Sequence, residues 1–275
     1  MSIWTYKDDV PLNSKSPSEL SVAFSTSFQI PNCPFCNSKL AYLYGSALPE
    51  PAMQAVGTRK ALQTCQSCGW WVAFHVSTHQ TAYDSACVNF RRACGALVDL
   101  DASDLTLPTE ELRKYLIAKY DDRYSIHPKK FEDIVGAVYA DHGYRVRVTS
   151  YSGDEGIDVA ILDGEGGETA GIQVKRYQGK ISAEQIRSFT GALVLKGMTS
   201  GIFVTTSSFQ KGAHHVKSVA QARGLAIELV DAKRFYDALR IAQRPVYTTI
   251  DDPSAPFFDR WREIGNAPIA TQVAW

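Results

Sequence analysis

Apolar residues fall at helical spacing between Phe131 and Tyr139: Phe131, Ile134, Val135, Val138 and Tyr139 stand at i, i+3, i+4, i+7 and i+8, the stripe of an amphipathic helix. Pro128 suits a first turn and Gly143 the position beyond the end, so a helix is predicted over 128–142. The period then shortens. A strand is predicted over 144–149, followed by two β-branched apolar runs, 156–162 and 170–175. The glycines at 164, 166 and 167 join these runs, which reads as a β-hairpin. Ser182-Ala-Glu-Gln185 is a capping box for a helix that turns Ile186, Phe189 and Leu193 inward. A strand at 202–206, a helix near 212–223, a strand at 226–230 and a short helix near 231–241 complete an α/β alternation with a mixed sheet.

Outside that stretch the pattern weakens. Residues 1–30 are polar and Ser-rich and read as a loose arm. Residues 31–98 form a cysteine-containing module. Residues 99–126 are acidic, with one helical stripe from Leu112 to Leu116 and Ile117, and read as a connector. The α/β domain occupies 127–243. The tail 244–275, with Phe257, Phe258 and Trp261, is expected to cover the core or a subunit interface.

In the second run of the hairpin, side chains alternate faces, so Gln173 and Lys175 share one face and Ile172 and Val174 the other. Pairing Asp158 with either Gln173 or Lys175 gathers an acid, an amide and a lysine, a set suited to a divalent cation and a phosphate. Each residue also has a plainer use: Asp158 as a turn cap, and Lys175 as a solvated edge-strand lysine that blocks edge pairing.

Cys33-Pro-Phe-Cys36 and Cys65-Gln-Ser-Cys68-Gly69 are two C-x₂-C knuckles with 28 residues between them. Four thiolates so spaced can close around Zn²⁺ as in a zinc ribbon, with residues 37–64 as an inserted hairpin or loop. Gly69 allows the tight turn that follows a knuckle. Cys87 and Cys94 read as buried thiols. His75 and His79 are alternative ligands or ordinary surface or core histidines. Trp70, Trp71, Phe74, Arg91 and Arg92 offer stacking and phosphate contacts to nucleic acid, or else the aromatics form the module's small core.

Composition narrows the class. With 45% apolar and 21% charged residues the chain is globular, and its net charge of zero excludes a generally basic DNA-coating protein. Residues 127–224 hold 12 Lys or Arg against 10 Asp or Glu, so any nucleic-acid contact must be a local patch. There is no apolar run long enough for a membrane span and no secretory leader, so a cytoplasmic location without membrane contact is expected.

The hairpin resembles the catalytic hairpin of the PD-(D/E)xK nuclease superfamily, most closely its Mrr-like restriction endonuclease branch, in which Gln often replaces Glu or Asp. The resemblance spans roughly residues 125–240. His127-Pro-Lys-Lys-Phe131-Glu132 looks like the family's first helix, Ile186-Arg-Ser-Phe189-Thr-Gly191-Ala192 like the helix after the catalytic strands, Gly201 to Phe209 like the next strand and loop, and Ala222 to Asp231 like the closing strand. It implies a restriction-endonuclease-like mixed sheet flanked by helices, beside the zinc-ribbon-like module.

The resemblance further implies a metal-dependent DNA endonuclease. Asp158 and Gln173 would hold Mg²⁺ (or Mn²⁺), Lys175 would stabilise the phosphate's developing charge, and Glu132 would add a carboxylate. Asp154 and Glu155 would be weaker candidates for a second metal, and Gln185, Lys211 and Arg176 would contact DNA. The implied role is restriction of foreign or modified DNA, as in phage defence, by a homodimer if both strands are cut, with an activating partner protein or ligand as an option. Two alternatives stand beside it: a catalytically silent or partner-activated DNA-binding module, and a nuclease acting on single-stranded DNA or RNA.

Overall fold

Two sheets form, each with its own core. The computed structural model describes residues 3–8, 30–44, 57–80, 86–149, 156–243 and 270–274. They divide into one unit of Met1–Asp99 with Arg244–Trp275 and a second of Leu100–Gln243.

The second unit begins with α1 (Thr109–Ala118), a 3-10 turn (Tyr120–Tyr124) and α2 (Pro128–Asp141). The order continues β6 (Arg145–Val148), β7 (Val159–Leu162), β8 (Glu168–Lys175), α3 (Ala183–Leu195), β9 (Ser200–Thr205), α4 (Lys211–Ala222), β10 (Ala226–Val230) and α5 (Ala232–Ala242). The strands lie in the order β10-β9-β8-β7-β6. The pairs β6–β7 and β7–β8 are antiparallel, while β8–β9 and β9–β10 are parallel. This is the mixed sheet that the α/β alternation predicts.

Helices cover both faces. Gly171 and Gly201 are register partners on β8 and β9. A Cβ on Gly201 would stand 2.5 Å from Leu193 Cδ1, and one on Gly171 would stand 2.6 Å from Ile157 Cδ1. Bare backbone at these two neighbouring positions is what lets α3 sit close to the sheet. Ile157, Ile186, Phe189, Leu193, Phe203 and Ile227 fill that layer. On the other face Gly136 of α2 meets Val148 and Val159, and Phe131 packs edge-on against Phe235 of α5 at 5.3 Å.

The acidic segment expected as a connector packs inside this unit. Leu112, Leu116 and Ile117 are buried, and α1 lies against α2 and α5. The Tyr236 hydroxyl donates to Ile117 O at 3.0 Å, and the Tyr120 hydroxyl to Ala232 O at 2.7 Å. The apolar stripe of a ten-residue helix needs a partner surface, and α5 supplies it.

In the first unit β1 (Trp4–Asp8), β2 (Leu40–Tyr44), β3 (Gly57–Cys65), β4 (Trp71–Gln80), β5 (Ala86–Leu97) and β11 (Ala270–Ala274) form one antiparallel sheet. β1 pairs with residues 93–97 of β5, and β11 pairs with residues 86–90 of the same strand. Part of the expected loose arm is therefore a strand, and the tail returns to this sheet. Phe257, Phe258 and Trp261 lie outside the described residues. β2 and β3 pair antiparallel within the predicted insertion between the knuckles.

Candidate functional site

The register of the hairpin starts at Val159↔Ile172. Asp158 stands just before β7, and its N–H donates to Ile172 O at 2.9 Å. Its carboxylate reaches across the hairpin: Asp158 Oδ2 accepts the Val174 N–H at 2.6 Å. A carboxylate oxygen is thereby fixed on the backbone between Gln173 and Lys175. The bond is charge-assisted, the stronger kind of hydrogen bond. Gly156 has φ +85°, a conformation suited to glycine, and its Cα hydrogen side faces the Gln173 amide, since a Cβ there would lie 3.9 Å from Gln173 Nε2.

Gln173 is half-buried and Lys175 exposed. Gln173 Oε1 is sealed from solvent and accepts no hydrogen bond among the described residues. A buried carbonyl oxygen without a donor is costly unless something else binds it. A hard divalent cation takes amide and carboxylate oxygens, so Gln173 Oε1 beside Asp158 fits the ligand set expected from the sequence.

Glu132 arrives from α2, on the other face of the sheet. Lys129 Nζ bridges Glu132 Oε2 at 3.0 Å and Thr149 O at 2.8 Å. Thr149 in turn donates its N–H and its hydroxyl to Asp158 O, each at 2.9 Å. Glu132 is thus tied to the Asp158 backbone through Lys129 and Thr149. Neither of these two residues stands out in the sequence reading, although Lys129 and Glu132 have the i,i+3 spacing of a helical ion pair.

The expected DNA-contacting residues separate. Gln185 is spent on its helix: its Oε1 accepts the Ser182 N–H at 2.9 Å, completing the capping box. Arg176 donates to Tyr124 O at 2.5 Å. Lys211 opens α4 and is exposed. Asp154 and Glu155 lie outside the described residues.

The four knuckle cysteines converge. Their sulfurs all lie within 4.8 Å of one another and are buried. Cys33–Cys68, Cys36–Cys65 and Cys36–Cys68 are 3.6, 3.4 and 3.7 Å apart. These separations match the edge of about 3.8 Å in a tetrahedron of sulfurs around zinc. The contact with Cys33 pulls Cys36 far toward the thiolate and Cys65 to about 7. Cys33 is pushed up chiefly by Cys36, and Cys68 chiefly by Cys33. Clustered charge of this kind is relieved by a dication.

The two knuckles close alike. Gly69 N–H bonds Cys65 O and Asn37 N–H bonds Cys33 O, both at 2.9 Å. Gly69 has φ +78° and Asn37 φ +56°. Asn37 is thus the counterpart of Gly69, legible in retrospect because Asn tolerates the left-handed region. Trp4 Nε1 donates to Cys68 O at 2.7 Å and holds the second knuckle.

Trp70, Trp71 and Phe74 are 3%, 2% and 2% exposed. They form the core of the module, so stacking on nucleic acid is closed to them. Cys94 is buried. The side chains of His75, His79, Cys87, Arg91 and Arg92 lie outside the described residues.

The mixed five-stranded sheet between helix layers is a restriction-endonuclease-like fold. Residues 123–239 match the restriction endonuclease family of Mrr catalytic domains. The type IV methyl-directed restriction enzyme EcoKMrr of Escherichia coli (strain K12) is 32% identical over 115 residues, which cover 40% of this chain and 36% of that enzyme. The chain therefore matches about a third of that relative's length, and the cysteine module lies outside the stretch that matches the family. Among the described residues no helix is long and apolar enough to cross a membrane.

Proposed function

We propose that this protein is a metal-dependent DNA endonuclease that restricts foreign or modified DNA. The observation that carries this reading is the Asp158 carboxylate held on the Val174 N–H, with the donor-less Gln173 Oε1 on one side and the exposed Lys175 on the other. Asp158 and Gln173 are the residues that would hold Mg²⁺ or Mn²⁺. Such an ion, when bound, polarises the scissile phosphate and acidifies a water. Lys175 offsets the negative charge that grows on the phosphate and orients the attacking water. Lys129 fixes the carboxylate of Glu132 and, through Thr149, the backbone of Asp158.

The methyl-directed activity of EcoKMrr supports modified DNA as the substrate class, and phage defence is the corresponding role. Zinc in the cysteine quartet is structural in this reading. Cutting both strands calls for two sites, hence a homodimer.

The test is cleavage of methylated and unmethylated plasmid, linear and single-stranded DNA with Mg²⁺, Mn²⁺ or EDTA. Lys175→Ala should fold and bind DNA yet lose cleavage by about a hundredfold or more. Undiminished cleavage by that variant overturns the assignment. The mass of the DNA-bound protein checks the dimer.

A further inference from the structure

Charge within the α/β domain is segregated along the chain. Residues 127–174 hold 4 Lys or Arg against 9 Asp or Glu, whereas residues 175–224 hold 8 against 1. The fold converts this into a spatial division. The second stretch contains α3 and α4, which together cover one face of the sheet and pack on each other.

The basic side chains start at the candidate site. Lys175 ends β8, at the C-terminal edge of the parallel pair with β9. Lys180 follows in a loop stitched to the start of α4, since Gln210 N–H donates to Ile181 O at 2.9 Å and Ile181 bridges Phe209. Lys211 is the first residue of α4. Farther along, Arg187 of α3 and His215 and Arg223 beside them flank a groove of about 470 Å³ between the two helices. Lys180, Arg187, Lys211, His215 and Arg223 are all exposed. Among the described residues, Lys180, Lys211 and Arg223 form no ion pair, and Arg187 pairs only with the exposed Glu184.

Cations gathered without ion-pair partners on one face of a chain with zero net charge make that face attractive to an anionic partner. A second copy docking through this face would bring like charges together, so self-association does not explain it. An acidic protein segment would satisfy the groove but not the continuity of the charge with Lys175. We infer that the α3–α4 face is a docking track for the sugar–phosphate backbone of duplex DNA, running from the candidate catalytic hairpin along α4 to Arg223. This rests on the nuclease reading and extends it. A twelve-residue helix is about 18 Å long, so the track engages duplex about five base pairs beyond the scissile phosphate. The contacts are to phosphates and carry no sequence information.

The test is binding of the full-length protein to a duplex of about 30 base pairs in EDTA, across a salt series. The Arg187→Ala/Lys211→Ala/Arg223→Ala protein should bind about tenfold or more weakly at low salt, and the slope of log affinity against log salt should fall by about 2 to 3. Lys233→Ala, on α5 across the sheet, should leave the slope unchanged. Thermal melts and a second triple variant carrying Gln at the same positions guard against misfolding. Unaltered affinity and slope in both folded triple variants overturn the track, even if the wild type cleaves. A wild type that fails to cleave with Mg²⁺ or Mn²⁺, while the triple variants still lose affinity, sinks the nuclease reading and leaves the track standing.

Discussion

Gln173 sets burial against hydrogen bonding. Its Oε1 has given up water and gained no donor among the described residues, which costs on the order of 1–3 kcal/mol. A near-isosteric apolar side chain removes that cost, so Gln173→Met should raise the melting temperature in EDTA while abolishing Mg²⁺-dependent cleavage. A lower melting temperature would show that Oε1 is satisfied without a cation. Asp158 makes the complementary case, because its carboxylate has a structural bond to the Val174 N–H. Asp158→Asn retains an acceptor for that N–H, whereas Asp158→Ala leaves it unpartnered. Both should lose cleavage, with the alanine variant less stable by about 1–2 kcal/mol in denaturant titration. Equal stabilities would remove the structural role. The three hairpin residues were legible in the sequence because a polar residue in an apolar strand is conspicuous. Lys129 and Thr149 were not, because their partners are set by the way α2 lies on the sheet.

At the scale of elements, local signals placed the helices and strands of the α/β domain well. The capping box at Ser182, Pro128 in the first turn of α2 and the left-handed Gly143 all act within a few residues of themselves. Their register and packing partners depend on distant residues. Gly171 and Gly201 are far apart in sequence, yet adjacent on β8 and β9 they make room for α3. Gly201→Ala forces a methyl against Leu193 and Phe189 and should destabilise the domain by about 1–3 kcal/mol. A change within experimental error would mean that α3 shifts freely. The segment before α2 shows the opposite failing of pattern reading. Its acidity suggested a connector, but Leu112, Tyr115, Leu116 and Ile117 are buried, and Arg113, buried among them, pairs with Glu110 and Asp141.

For the whole molecule, the cysteine module and the α/β domain have separate cores, so metal removal should act on one of them. The purified protein is expected to carry about one zinc per chain. Stripping it with a strong chelator, or Cys36→Ser, should lower the unfolding transition of the module and leave that of the α/β domain in place. Zinc content unchanged by Cys36→Ser would exclude the quartet as its site.

The sequence by itself determined the chemistry that each stretch carries: two C-x₂-C knuckles, an acid–amide–lysine hairpin, and the alternation of an α/β domain. These are properties of spacing, and spacing follows from the short-range geometry of helices, strands and turns. Only the tertiary structure decided where those groups meet. It placed β1 and β11 on one strand, buried Trp70, Trp71 and Phe74, tied Glu132 to Asp158 through Lys129 and Thr149, and gathered the basic residues of α3 and α4 on one face. Such juxtapositions join residues tens of positions apart. They arise from the packing of whole faces, which no local pattern encodes.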